Sequence, residues 1–157
     1  MKFEIDKDND LSTFDDLSLK DEEKKFKGWV YHPNPDHRGI KNIKKKAKWE
    51  ISVDEEIICF VYARKSNWIN GNKGWGLHLS NNKPQKVGRL ATPDDRKQRY
   101  SWIARFHDGT STSNWHGWPA DTKLKTNDRP TTEVLEYWKK KGYITKAILI
   151  KILKGLL

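Results

Sequence analysis

Cysteine occurs once in these 157 residues, as Cys59, and methionine once. A lone cysteine excludes an intramolecular disulfide and any cysteine-rich zinc site. It sits in the apolar run EIICFVY with no cation beside it in sequence, so an inert core thiol is expected rather than a nucleophile. No stretch approaches the roughly 18 apolar residues of a membrane span. The opening MKFEIDKDND lacks the basic start and apolar stretch of a secretion signal. A reducing, cytoplasmic setting is therefore expected, with no membrane partner. Internal repeats are missing, as are a phosphate-binding glycine loop, a dinucleotide fingerprint, a serine-triad spacing and the Glu-x-Lys strand of a metal-dependent nuclease. No cofactor is implied.

Apolar residues are also scarce. Only 35% of the chain is hydrophobic and 33% is charged, but eight Trp, five Tyr and five Phe supply enough apolar area to fold. A small aromatic core in one domain follows. Net charge is +10 and unevenly spread: residues 1–26 hold nine acids and five lysines, a net of −4, which leaves +14 on residues 27–157. The chain reads as an acidic, partly flexible leader (1–26, with a short helix at 19–26) and a basic body whose natural partner is a polyanion, nucleic acid first.

Along the body, GWVYH predicts a strand at 28–32, and KWEISV a half-buried strand with Trp49, Ile51 and Val53 on one face. EIICFVYAR, rich in β-branched and aromatic residues, predicts a central buried strand over 56–64. GLHLS and QKVGRL are shorter strands. RYSWIARFH alternates, placing Tyr100, Trp102, Ala104 and Phe106 on the core face, with Arg99, Ser101, Ile103, Arg105 and His107 opposite. Asp108-Gly109 then predicts a type I′ turn into the return strand TSTSNWHGW. After Pro130 the pattern becomes helical: a threonine cap ahead of Glu133, a stop at Gly142, and a second helix in ITKAILIKILKG. The predicted class is α+β, an antiparallel β-sheet (about 28–118) closed by a C-terminal helical hairpin (131–154).

That hairpin does not fit a helix-turn-helix. Trp138 stands where a small residue is needed, and the second helix offers Ile, Leu and Lys rather than base-reading side chains. Lys44, Lys45, Lys46 and Lys48 form the densest cationic run and suit phosphate backbone contact. Trp68 and Trp75 in a glycine-asparagine loop, and Trp115 and Trp118 around His116, are candidate stacking platforms for unpaired bases, with Arg99 beside them. His32, Asp36 and His37 in one loop, and His107, Asp108 and His116 across the hairpin, are possible metal sets, but neither has a strong ligand spacing. His78-Leu79-Ser80 resembles half of the paired His-x-Ser/Thr signature of two-histidine phosphoesterases, without the other half.

The expected function is binding of RNA or single-stranded DNA through a basic sheet surface with exposed aromatics. An alternative is a metal-independent ribonuclease or toxin using His107 and His116 with Arg105 and possible help from His78, since a base, an acid and cations suffice for attack by a ribose 2′-hydroxyl. A third is an interaction or inhibitor module that binds an acidic protein.

Overall fold

A computed structural model describes residues 3–6, 28–92 and 97–157. In chain order it contains β1 (Phe3–Asp6), β2 (Gly28–Tyr31), β3 (Lys48–Trp49), α1 (Val53–Lys65), β4 (Ile69–Asn70), β5 (Lys73–Gly76), β6 (His78–Ser80), β7 (Lys83–Gln85), β8 (Gly88–Arg89), β9 (Tyr100–Ser101), β10 (Ala104–His107), β11 (Asn114–Pro119), α2 (Thr132–Lys140) and α3 (Lys146–Leu153). The α+β class and the C-terminal helical hairpin are as the sequence predicts. The helix expected at 19–26 lies outside the described residues. Among those described, no helix is long and apolar enough to cross a membrane.

Six strands form the main sheet in the order β1-β2-β11-β10-β5-β4, and three more form a small sheet, β3-β8-β9. Every pairing in the main sheet is antiparallel except β2 with β11, where Asn114 faces Val30 and Trp115 faces Tyr31 in parallel. The sheet is therefore mixed, and its edge strand β1 comes from the acidic leader.

The segment 56–64 is not a strand. It belongs to α1, which packs across the main sheet with Glu56, Ile57, Cys59, Phe60, Val61 and Ala63 buried. A capping box starts it: the Glu55 amide donates to Ser52 Oγ at 3.1 Å, and the Ser52 amide donates to the Glu55 carboxylate at 2.9 Å. Ser52 thereby ends the strand expected at 49–53 after Trp49. Strand propensity loses here because a helix buried against a sheet can be apolar nearly all round. The sheet makes room with glycine. A Cβ on Gly76 would stand 2.9 Å from the Cys59 carbonyl oxygen. Tyr31, Phe60, Phe106 and Trp115 fill the layer between, with Phe60 edge-on to Phe106 at 5.1 Å.

The alternation over 99–107 breaks at Trp102. Tyr100 belongs to the small sheet and is 48% exposed, while Ile103 is buried. Ser101 Oγ accepts from the Ile103 amide at 3.2 Å, which marks the kink between β9 and β10. The hairpin also turns differently from a two-residue type I′. Its loop spans 108–113, with Ser111 and Ser113 at positive φ. Asp108 holds that loop by accepting from the amides of Ser113 at 2.7 Å and Thr112 at 3.3 Å. Burial raises the Asp108 carboxyl, but these hydrogen bonds outweigh it and hold the group below its usual range.

Threonine side chains cap both C-terminal helices, Thr131 on α2 and Thr145 on α3, and Gly142 supplies positive φ after α2. Trp138, Leu135, Leu149 and Ile152 are buried, and Trp68 meets Trp138 edge-on at 5.6 Å.

Candidate functional site: a histidine face on the sheet

In β5, β10 and β11 alternate side chains leave α1 and point to the opposite face: Lys73 and Trp75, Arg105 and His107, His116 and Trp118. The segment 121–130 covers one end of this face. Trp75 Nε1 donates to the Asp128 carbonyl at 2.9 Å, Trp118 Nε1 to the Asp128 carboxylate at 3.3 Å, and Arg105 Nε to the Asn127 carbonyl at 3.0 Å. Arg105 is 2% exposed and lies between the rings of Trp75 and Trp118. Burial lowers its pKa to about 10, with Asp128 opposing, so it stays charged at neutral pH.

The other end carries a row of basic groups. His107 faces His116 on one side and Lys73 on the other. Beyond His116, the His32 amide donates to the Trp115 carbonyl at 2.7 Å, extending the parallel pairing and adding His32 to the row. Four strands thus place Lys73, His107, His116 and His32 side by side over three strand spacings, about 14 Å. His37, from the loop after β2, stacks on Trp118 at 5.9 Å, and Trp118 lies 5.6 Å from His116 and 6.1 Å from His107. Four of the five histidines therefore gather on one face.

Their partners determine which ring nitrogen carries the proton. Backbone carbonyls only accept, so His37 Nδ1 donates to the Ala47 carbonyl (2.9 Å) and the neutral ring keeps its lone pair on Nε2. His32 Nε2 lies 3.0 Å from Asn114 Oδ1. The Asn114 amide nitrogen donates to Thr112, which fixes Oδ1 as an acceptor. His32 thus donates through Nε2 and keeps its lone pair on Nδ1. His107 Nδ1 accepts from Arg105 at 3.5 Å, so its Nε2 carries the hydrogen. His116 Nδ1 is buried without a partner, which favours the lone pair there and the hydrogen on Nε2. Two rings offer a lone pair and two offer an N–H.

Three of these imidazoles are held below the usual histidine value. For His37 the cause is burial, then Lys46, Lys48 and His116, against the Ala47 carbonyl. For His107 it is burial, then Arg105, His116 and Lys73, against Asp108. For His116 it is burial, then His32 and Arg105, again against Asp108. All three are neutral at pH 7 without ligand. Folded rings that bind protons less readily than unfolded ones give stability that is full above the unfolded value, about 6.5, and lost as pH falls through the folded values. A bound polyanion favours the charged rings, so its binding takes up protons. Affinity for a polyanion is expected to rise as pH falls from about 7.5 to 5.5, and His107→Gln with His116→Gln to flatten that rise. Anisotropy titrations across the range measure it, and a pH-independent affinity in the native protein would refute it.

The other predicted site residues lie elsewhere or serve the fold. Trp68, Trp75 and Trp115 are buried core residues and offer no platform; their loop closes over them because α2, segment 121–130 and Trp29 cover the rings. Trp118 alone of that set stays half-buried at the face. Lys48 is 3% exposed, and its Nζ donates to the carbonyls of Asp36 (2.6 Å) and Arg38 (3.3 Å), which makes it a loop clamp. Lys46 pairs with Asp36 at 3.3 Å, while Lys44 and Lys45 are exposed. Arg99 forms a two-pronged pair with Asp121 (2.9 and 2.8 Å). His78 pairs with Glu55 at 3.0 Å, at the start of α1 and away from the other histidines. No group of three or more His, Cys, Asp or Glu among the described residues is placed to hold a metal ion. Lys73 gave no signal in the sequence, and His32 and His37 read only as a metal pair. Compared with protein-family models, curated proteins and solved structures, the chain has no significant match in any of the three.

Proposed function

We propose that this protein binds single-stranded nucleic acid, RNA in the first instance, along the histidine face. The observation that carries the reading is the row Lys73, His107, His116 and His32, laid across four strands of one sheet with Trp118 and His37 at its margin. The N–H groups of His107 and His116 and the Lys73 ammonium, which also donates to Asn127 Oδ1 at 3.4 Å, suit successive phosphates of one strand. His32 adds an imidazole at the end of the row, and Trp118, stacked on His37, borders it. The charge of +14 on residues 27–157 supplies attraction at a distance. Duplex reading fits poorly, because α3 presents Ile, Leu and Lys and no side chain that hydrogen-bonds to base edges.

Binding of a labelled single-stranded RNA, measured at several salt concentrations, tests this. Affinity should fall steeply with salt. Lys73→Gln should weaken binding to all sequences and lower the slope of log affinity against log salt by about one, the share of one phosphate contact. An unchanged slope takes Lys73 out of the interface. Salt-insensitive or undetectable binding refutes the proposal.

A further inference from the structure

We propose that the histidine face also cleaves the RNA it binds, with His37 and His32 exchanging the protons, His116 holding the scissile phosphate, and His107 and Lys73 holding the phosphates that follow along the strand. This rests on the reading of the face as an RNA site. Strand pairing puts His107 opposite His116, which makes those two the first couple to weigh as acid and base. Their hydrogen bonds say otherwise. Arg105, a donor only, occupies His107 Nδ1, and His116 Nδ1 is sealed in the protein, which leaves each ring its N–H on Nε2. Such groups donate to non-bridging phosphate oxygens, as the Lys73 ammonium does, and stabilise charge that builds there in the transition state.

Proton transfer needs a nitrogen that can both lose and gain hydrogen at the substrate. His37 Nε2 and His32 Nδ1 are that kind, because each ring's other nitrogen already donates to a fixed acceptor, the Ala47 carbonyl or Asn114 Oδ1. Those acceptors stay satisfied whether the ring is neutral or charged, so either ring can cycle without leaving a buried group unpaired. His116 links the two: it neighbours His32 across the seam of β2 and β11 and shares the Trp118 ring with His37.

The reaction balances without a co-reactant. The ribose 2′-oxygen attacks the adjoining phosphorus and its proton passes to His37 Nε2. The bond from phosphorus to the 5′-oxygen breaks, and that oxygen takes the proton that His32 Nδ1 delivers. A 2′,3′-cyclic phosphate and a 5′-hydroxyl result, with His37 charged and His32 neutral until solvent resets them. His37, half-buried and facing Lys46, Lys48 and His116, is the ring kept neutral and so the base. His32 is exposed, faces His116, and is the acid.

The test is cleavage of a mixed-sequence single-stranded RNA by the full chain in EDTA, with product ends identified by mass spectrometry. Native protein should give cyclic phosphate ends and a bell-shaped rate against pH, and should leave the all-deoxy strand intact. His37→Gln and His32→Gln should each lose roughly 10²–10⁴-fold in rate at saturating RNA. Glutamine can still donate an N–H, so His116→Gln should keep most of the activity that His116→Ala loses. His37→Gln could disturb the Ala47 contact, which a melting curve shows; His32, on the surface, gives the independent variant. RNA bound but uncut overturns the inference and leaves the binding reading standing, whereas no binding overturns both. Cleavage that survives both His37→Gln and His32→Gln, or that His116→Gln abolishes as fully as they do, also overturns it.

Discussion

Glu56→Ala is expected to cost the fold about 3–5 kcal/mol, the range for removing one partner of a buried ion pair. Glu56 lies on α1 and is fully buried. Its carboxylate accepts from the Tyr31 hydroxyl of β2, which is also fully buried, and from Arg38 Nη2 at 2.7 Å. Arg38 Nη1 reaches the Ile51 carbonyl at 2.8 Å. Alanine would strand a buried hydroxyl and half of a guanidinium together. Glu56→Gln keeps an acceptor for both and should lose much less. Urea unfolding separates them, and a loss under about 1 kcal/mol for Glu56→Ala would show that the triad adds little. Burial, against the two hydrogen bonds and Arg38, holds the Glu56 carboxyl above its usual value. A carboxyl raised on folding contributes stability at low pH that is lost as pH rises through the folded value. Acid weakening of the fold should therefore arise from the depressed groups: Asp121, where burial is outweighed by Arg99 and the Leu124 amide, together with Asp108, Glu50, Glu55 and the three imidazoles.

Arg105→Ala is expected to be as severe. Its side chain is 3% exposed and that of Asp128 5%, at 3.9 Å from each other. Burial already raises the Asp128 carboxyl despite Arg105 and the hydrogen bonds from the Asp121 amide and Trp118. Without the guanidinium, Asp128 keeps its burial and loses its cation, and Asn127 loses the donor that fastens segment 121–130 to the sheet. A loss of about 3–5 kcal/mol follows. Arg105→Met combined with Asp128→Asn should recover part of it, because an apolar side chain with a neutral amide removes both charges at once. A double-mutant cycle gives the coupling. Full stability in Arg105→Ala with impaired cleavage would instead make Arg105 a substrate-binding group.

The helical hairpin was legible because the threonine cap ahead of Glu133 and the stop at Gly142 are local signals that tertiary structure did not override; Thr145 caps α3 in the same way. The hairpin of β10 and β11 was legible as a hairpin but not in its register: a two-residue turn at Asp108-Gly109 would set His107 opposite Thr110, and only the longer loop brings it opposite His116. Helix α1 was misread for a physical reason. Buried on most sides, it lacks the polar stripe that sets the helical period, and its β-branched residues imitate a strand; Ser52 with Glu55 three residues on was the signal against that reading. Tryptophans in polar loops looked exposed because sequence does not show what folds over a loop. Trp75 is covered by Asn127 and Asp128, some fifty residues away in the chain. The site was half visible for the same reason: His107 and His116 are neighbours through a hairpin, but Lys73, His32 and His37 join them only through strand order.

That strand order has a consequence for assembly. The antiparallel neighbours β5, β10 and β11 form one meander-like unit, but β2 joins it in parallel, so its contact with β11 closes a loop of more than eighty residues. Closing so long a loop carries an entropic cost that short-range pairings do not, and contacts of this kind slow folding. The seam between His116 and His32 therefore belongs to the late, topologically remote part of the structure. A chain that has formed its hairpin and helices but not this seam carries the basic groups of the face as separate pieces, so the row of histidines becomes continuous only when these two remote segments have met.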